Sequence, residues 1–225
     1  MRSIAYRHGA VCRSTRSAPC RDRPMLVSID PVHPDPRKIR RVIHALERGG
    51  VIAYPTDTVY GLGCDLLNKH AIDRLYTIKG MPRSQPLAFV CPDLSDIARY
   101  AMVDNQVYRV LRRFLPGPYT FILSATREVP KLVQMKRKSV GIRVPACALT
   151  CALVRELGRP IISTTAARHG QTPMVDPDEI DEEFGGLAVV VDGGGGGTVP
   201  TTIIDLTTSP PTLVREGAGG ADEFR

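Results

Sequence analysis

The segment that most constrains what this chain can fold into is GVIAYPTDTVYGLGC, residues 50–64. Its first part, 51–54, is apolar and has the length of a buried strand, and Pro55 ends that strand because proline has no backbone N–H to donate. Hydroxyl residues and then Gly61 and Gly63 follow directly. Open α/β sheets usually place ligands at such strand ends, where glycine lets backbone approach a ligand and hydroxyls orient it. The alternative is a strand with a polar turn and a tight glycine corner.

Helical and strand patterns alternate along most of the remaining chain, which predicts an α/β fold with a twisted, mixed sheet and flanking helices. Helices are predicted near 35–48, 68–79, 93–101, 105–115, 148–157 and from 176 onward, and strands at 51–54, 87–91, 119–124, 139–144, 161–162, 187–191, 202–206 and 213–215. A single domain is expected over 25–220, followed by a loose tail at 221–225. Residues 1–24 predict a disordered Arg-rich extension; a transit peptide and a true start at Met25 are the alternatives.

The net charge of +7 indicates an anionic partner, but its location matters. Residues 1–24 hold six arginines and one aspartate, which leaves +2 for the rest of the chain, so a general nucleic-acid surface is not required. No apolar run approaches the roughly 18 residues that a membrane span needs. The six cysteines show no metal-ligand spacing and predict reduced thiols in a cytoplasmic protein without a protein-held metal site.

Hydroxyls and cations recur where the predicted strands end, and no carboxylate pair or nucleophile stands out. Such side chains suit an enzyme that positions substrates and neutralises phosphate charge. Arg143 lies among apolar neighbours, so it must either meet an internal carboxylate or point into a cavity for an anionic ligand. The glycine run 193–197 lacks the Lys-Ser/Thr ending of a phosphate loop and predicts a flexible hairpin connection.

An ordered set of motifs resembles the YrdC-like threonylcarbamoyl-adenylate synthase family, and residues 87–144 are most similar to its YciO branch. The motifs are PTDTVYGLG at 55–63, KGMPRSQPL at 79–87, PGPYT at 116–120, GIRVP at 141–145, STTAA at 163–167, TTIIDLT at 201–207 and VREGAG at 214–219. The resemblance implies a twisted mixed α/β sheet over a large electropositive cavity. It also implies that L-threonine, bicarbonate and ATP, with Mg²⁺, are condensed to threonylcarbamoyl-adenylate and pyrophosphate for modification of adenosine 37 in tRNA.

The same resemblance assigns roles to residues of this chain. It implies two catalytic cations, Lys79 and Arg143, the first holding phosphate or carboxylate. It implies seven substrate-binding residues, which are Thr56, Tyr60, Thr120, Ser163, Thr165, Thr202 and Arg215.

Two departures from the family pattern predict weakened synthase activity. Met81 stands where the family has an arginine, and Ala167 where it has an asparagine, so a bidentate cation and an amide are missing. Arg83 or Arg168 could compensate. Two other functions therefore stay open. One is a binding protein for double-stranded RNA, tRNA or nucleotide, supported by the Arg-rich start and the basic residues of 131–138. The other is a related enzyme acting on another small amino or carbamoyl substrate. Other proteins of the tRNA modification pathway are possible partners.

Overall fold

A computed structural model describes residues 24–225 except 136, 137, 169 and 195. The predicted Arg-rich extension, up to residue 23, and the centre of the basic run at 131–138 lie outside the described residues. Among the described helices, none is long and apolar enough to cross a membrane.

The described residues form six α-helices and ten strands, in good agreement with the predicted alternation. The helices are α1 (Pro36–Glu47), α2 (Lys69–Lys79), α3 (Leu94–Tyr100), α4 (Asn105–Phe114), α5 (Ala148–Leu157) and α6 (Pro177–Glu183). The strands are β1 (Met25–Ser28), β2 (Ile52–Tyr54), β3 (Gly61–Asp65), β4 (Ala88–Val90), β5 (Tyr119–Ser124), β6 (Ser139–Arg143), β7 (Ile161–Thr165), β8 (Val189–Asp192), β9 (Thr202–Asp205) and β10 (Thr212–Arg215).

All ten strands form one sheet in the order β1-β8-β2-β3-β7-β4-β6-β5-β9-β10. The pairs β1/β8, β2/β8, β4/β6 and β5/β9 are parallel, and the other neighbours are antiparallel. The prediction of a twisted mixed α/β sheet is therefore confirmed.

Two apolar cores lie on opposite faces of this sheet, because successive side chains of a strand point to opposite sides. Helices α1 and α5 cover one face, where their apolar residues join Ile52, Tyr54 and Ile161. Helices α2, α3, α4 and α6 cover the other face, where Leu62 and Ile162 belong to the core. The candidate site lies on the face with α1 and α5, because the sheet extends beyond the area that these two helices cover.

Helix α1 shows how local sequence fixes these layers. The Asp35 side chain accepts a hydrogen bond from the backbone N–H of Arg37, and Pro36 starts the helix. The buried residues of α1 repeat at helical spacing and form one apolar face. This face packs on α5 and on the strands beneath it.

The structure differs from the sequence analysis at three places, the first of which concerns an alternative that was left open. Residues 61–65 form the buried strand β3 and not a glycine corner. The glycine run is no hairpin, because six strands of the sheet separate β8 from β9. Residues 221–225 are packed and not loose, since Ala221 is buried and the ring of Phe224 lies 5.1 Å from that of Phe114.

Candidate active site

Helices α1 and α5 cover only part of their face of the sheet. A cavity of about 700 Å³ opens on the part that they leave uncovered. Small side chains and hydroxyls of neighbouring strands form its floor, among them Gly61, Ala88, Thr120 and Ser163. The predicted site residues that line it are Tyr60, Lys79, Thr120, Arg143, Ser163, Thr165 and Arg215. Residues that are far apart in sequence thus meet at one place because their strands are neighbours in the sheet.

Arg143 is anchored on one edge and open on another. Its Nη2 donates to Thr56 Oγ1 at 2.9 Å, to Thr58 Oγ1 at 2.7 Å and to Asp57 Oδ1, with which it forms an ion pair. Thr56 is therefore a support behind Arg143 and not a part of the cavity lining. Arg143 Nε and Asp57 Oδ2 are buried without a hydrogen-bond partner among the described residues. The anchored guanidinium has donors left for an anionic ligand.

Lys79 closes the C-terminal end of α2 and points at β7. Its ammonium donates to the backbone oxygens of Thr165 and Ala167. Burial, and after it the charge of Arg168, lowers the pKa of Lys79 from 10.5 to about 8. Two of the three ammonium donors are used by the protein, so one remains for a ligand.

Arg168 is one of the two arginines that the sequence offers in place of the missing family arginine. It lines the cavity together with Met81 and Ala167. Its Nε donates to Glu183 Oε1 at 2.5 Å, and its guanidinium lies 4.8 Å from the centre of the Phe184 ring. Its Nη1 donates to the carbonyl oxygen of Ile78 at 3.0 Å, which ties it to the end of α2.

Arg83 does not reach the cavity. It forms an ion pair with Asp73 at 2.8 Å, and its side chain is 60% exposed. Of the two arginines offered as compensation, only Arg168 therefore lines the cavity, and its guanidinium already donates to Glu183 and to carbonyl oxygens at the end of α2.

The far wall of the cavity is formed by a hydroxyl pair and an arginine. Thr120 Oγ1 and Thr201 Oγ1 lie 3.0 Å apart, and Arg215 Nη2 donates to the carbonyl oxygen of Thr201 at 2.7 Å. Partial burial of its guanidinium, and next the charge of Arg143, lowers the pKa of Arg215.

Thr202 does not line the cavity. It is fully buried, and its hydroxyl donates to Gly219 O at 2.5 Å. Side chains alternate along the chain here, so Thr201 meets the cavity and its neighbour faces the opposite side. The cavity lining therefore contains Thr201 and not Thr202, a difference that the motif TTIID does not reveal.

Tyr60 lies in the lining, but its hydroxyl is already used. It donates to the carbonyl oxygen of Gly194 at 3.1 Å, and burial raises the pKa of Tyr60 to about 12. Gly197 also lies against the loop after β2, since a Cβ on it would lie 2.5 Å from the carbonyl oxygen of Thr58. Glycine at 197 is required by this close approach of two backbones.

The electrostatics of the cavity are one-sided. Four cations line it, namely Lys79, Arg143, Arg168 and Arg215, and no Asp or Glu of the described residues does. Carboxylates outside the lining pair with Arg143 and Arg168, whereas none in the described chain pairs with Lys79 or Arg215. A cavity with two uncompensated cations suits a ligand that carries more than one anionic group.

The described residues contain no group of three or more His, Cys, Asp or Glu side chains that could hold a metal ion. Asp57 is the nearest candidate ligand, but its Oδ1 is taken by Arg143 and its Oδ2 is buried. A protein-held metal centre therefore does not fit these residues.

Sequence reasoning did not assign roles to Asp57, Thr201 or Tyr54. The signal for Asp57 was available, because a buried arginine such as Arg143 needs a counter-charge and Asp57 lies in the motif at the strand end. The role of Tyr54 is visible only from its partner on another strand, Ser163.

The fold and the cavity define an α/β protein with a cavity lined by cations and hydroxyls on one face of its mixed sheet. The Sua5, YciO and YrdC family, whose model is described as "Telomere recombination", matches residues 44–217. This chain belongs to that family.

Relatives that share more than 35% sequence identity with this chain include proteins named YciO and proteins named threonylcarbamoyl-AMP synthase. YciO of Escherichia coli, itself named an uncharacterized protein, is 40% identical over 199 residues, which cover 87% of this chain and 97% of that protein. Threonylcarbamoyl-AMP synthase of Methylobacillus flagellatus is 37% identical over 151 residues, which cover 66% of this chain and 83% of that one.

Solved structures repeat this division. The crystal structure of E. coli YciO superposes with a TM-score of 0.86 at 38% identity, covering 90% of this chain and all of that one. Sua5 of P. abyssi, in a complex with L-threonine, gives a TM-score of 0.82 at 29% identity, covering 88% of this chain and 59% of that one. The resemblance to the YrdC-like family, and to its YciO branch, is confirmed.

Proposed function

We propose that this protein is an L-threonylcarbamoyl-adenylate synthase: it condenses L-threonine, bicarbonate and ATP to threonylcarbamoyl-adenylate and pyrophosphate. The observation that carries the proposal is the single cavity lined by four cations and several hydroxyls, with no carboxylate of the described residues in its wall. Its volume of about 700 Å³ suits a nucleotide beside a small amino acid. The relatives named for this activity support it.

The residues of the cavity would act by holding charge in place. The threonine amine attacks the carbon of bicarbonate, and a C–O bond breaks as water leaves, which gives the carbamate. A carbamate oxygen then attacks the α-phosphorus of ATP, and the bond from the α-phosphorus to the oxygen bridging it to the β-phosphate breaks as pyrophosphate leaves. Arg143, fixed by the loop after β2, would hold an anionic oxygen through its open edge without reorganising. Lys79 and Arg215, which lack carboxylate partners in the described chain, would take negative charge from carboxylate and phosphates.

Ser163, Thr120 and Thr165 would donate to or accept from the neutral polar atoms of the substrates. Magnesium, bound to the phosphates of ATP, would neutralise further charge as pyrophosphate leaves.

The direct test is release of pyrophosphate that depends on threonine. The purified protein is incubated with ATP, Mg²⁺, bicarbonate and threonine, and pyrophosphate is measured with and without threonine. Arg143→Ala should abolish the release. Arg83→Ala is the matched control, since Arg83 sits in an exposed ion pair outside the cavity and should leave the rate unchanged. Release that does not depend on threonine, or that survives Arg143→Ala, would contradict the proposal.

Two further roles belong to the same proposal. The product would serve modification of adenosine 37 in tRNA, in the cytoplasm, with other proteins of that pathway as partners.

An RNA- or nucleotide-binding protein with weak or lost synthase activity is the second candidate function. It rests on the uncompensated cations of the cavity, because the basic residues at 136 and 137 and in 1–23 lie outside the described chain. A third candidate is an enzyme acting on another small amino or carbamoyl substrate, which substitution of other amino acids for threonine in the assay would identify.

A further inference from the structure

We infer that Tyr54, a fully buried residue outside the cavity, is a positioning residue that holds the Ser163 hydroxyl ready to donate to a ligand oxygen. The inference deepens the proposed function, on which it rests, by assigning a residue that acts on the site through another. It is argued from one hydrogen bond and from the two glycines that make room for it.

The hydrogen bond joins two strands that are not neighbours. Tyr54 ends β2, Ser163 lies in β7, and β3 runs between them. The Tyr54 hydroxyl nevertheless donates to Ser163 Oγ at 2.6 Å, across 109 residues of sequence. Tyr54 is 0% exposed, so this hydroxyl has no access to water and depends on its protein partner.

Two glycines of β3 allow the tyrosine ring to cross. Tyr54 is paired with Gly61, and Ser163 with Gly63. A Cβ on Gly61 would lie 3.0 Å from Ser163 Oγ and 3.1 Å from Tyr54 Cζ, and a Cβ on Gly63 would lie 2.8 Å from Tyr54 Cε1. A side chain at Gly63 would collide with the ring, and one at Gly61 would be tight against the ring and Ser163 Oγ. The glycines of the motif YGLG therefore serve the path from Tyr54 to Ser163.

The direction of the bond determines what Ser163 can do. A serine hydroxyl has one proton and two lone pairs. Because Ser163 Oγ accepts from Tyr54, its own proton is free, and the described chain offers Oγ no second protein partner. Ser163 lines the cavity, so that proton is available to an oxygen of the ligand. Accepting the tyrosine hydrogen bond also makes the serine a stronger donor.

Burial keeps the tyrosine in the required state. It raises the pKa of Tyr54 to about 12, and the hydroxyl therefore remains a donor throughout the pH range of an assay. Arg143 lies on the same face of the sheet, and its charge opposes this rise only in part.

The experiment is a double-mutant cycle in the pyrophosphate assay with the full chain. Tyr54→Phe, Ser163→Ala and the double variant are compared with the wild type. Tyr119→Phe is the matched control, because it removes a tyrosine hydroxyl that donates to the carbonyl oxygen of Gly220 at 3.2 Å, outside the cavity lining. KM for threonine, KM for ATP and kcat are measured for each protein, and urea unfolding shows that each is folded.

The expected result is a loss of about tenfold in kcat/KM for Tyr54→Phe, the size of one well-oriented hydrogen bond. Whichever kinetic constant changes in Ser163→Ala, whether kcat or one of the two KM values, should also be the one that changes in Tyr54→Phe. Adding Tyr54→Phe to Ser163→Ala should change nothing further, because the tyrosine acts only through the serine. Tyr119→Phe should behave as the wild type.

Three outcomes would overturn the inference: unchanged kinetics in Tyr54→Phe, an equal loss in Tyr119→Phe, or effects of the two substitutions that multiply in the double variant. If the wild type releases no pyrophosphate, the proposed synthase fails by itself, and the same proteins are titrated with ATP alone. In that case the positioning role is overturned if Tyr54→Phe binds ATP with the same affinity as the wild type. It is also overturned if neither protein binds ATP.

Discussion

The buried ammonium of Lys79 should make the stability of this protein depend on pH in a direction opposite to that of most buried acids. The pKa of Lys79 is lowered from 10.5 to about 8, chiefly by burial. Such a shift corresponds to about 3 kcal/mol against the charged form in the folded protein. Below pH 8 the lysine is charged in both states and this cost is fully present. Between pH 8 and 10.5 the unfolded state binds more protons than the folded one, so the folded state gains stability as the pH rises.

The measurement compares the wild type with Lys79→Met, because the methionine side chain is of similar length and cannot titrate. Other buried groups, such as Tyr54, whose pKa is raised, act in the opposite direction, but they are present in both proteins. The difference in unfolding free energy, wild type minus variant, should therefore increase from pH 7 to pH 10. The neutral amine still has two N–H groups for the carbonyls of Thr165 and Ala167, so these bonds survive the titration.

The two carbonyls also favour the charged form, so the increase should be smaller than the full 3 kcal/mol. We expect about 1–2 kcal/mol, measured by urea unfolding at four pH values. ATP affinity of the wild type should fall over the same interval, because the ammonium that meets phosphate is lost. A difference in unfolding free energy that is flat, or that decreases with pH, would refute the reasoning about Lys79.

Three other substitutions test the surroundings of the cavity. Asp57→Ala should destabilise the protein by about 3 kcal/mol in urea unfolding, because it leaves Arg143 buried without its counter-charge; a loss below 1 kcal/mol would mean that solvent already screens the pair. Gly63→Ala should cost about 1–3 kcal/mol through collisions at 2.5 and 2.8 Å, whereas Gly141→Ala, with no contact under 3.5 Å, should be nearly neutral. Met81→Arg should raise ATP affinity about tenfold in calorimetry by adding a guanidinium to the lining, and unchanged affinity would show that this part of the cavity does not meet phosphate.

Elements with a complete local signal were predictable from the sequence. Helix α5 was predicted with its observed bounds, because apolar residues repeat at helical spacing and Gly158, with φ +69°, ends it. Strand β3 was missed, since glycine has a low strand propensity and the need for glycine comes from contacts with Tyr54 and Ile161 on the neighbouring strands. Strand β1 was missed because its four residues depend on pairing with β8, which is 164 residues further along at Met25↔Val189.

The candidate site was predictable in composition and less so in geometry. The resemblance named residue types at strand ends, and most of them meet in the cavity. It could not supply the phase of a strand, which decides between Thr201 and Thr202. Nor could it decide between Arg83 and Arg168. An arginine near a motif lines a cavity only if tertiary contacts hold it there, as Phe184 and Glu183 hold Arg168.

Arg143 shows why the choice posed by the sequence was too narrow. A buried arginine was expected to meet either an internal carboxylate or an anionic ligand, and the structure supports both at once. Its Nη2 is held by Asp57 and two threonines, which offsets the cost of removing the charge from water. The same contacts fix the guanidinium in the cavity lining, so little side-chain freedom would be lost on binding a ligand. A carboxylate beside a cation therefore does not exclude a ligand site. Where the carboxylate contacts only one nitrogen of the guanidinium, it holds the side chain in place and leaves other donors for a ligand.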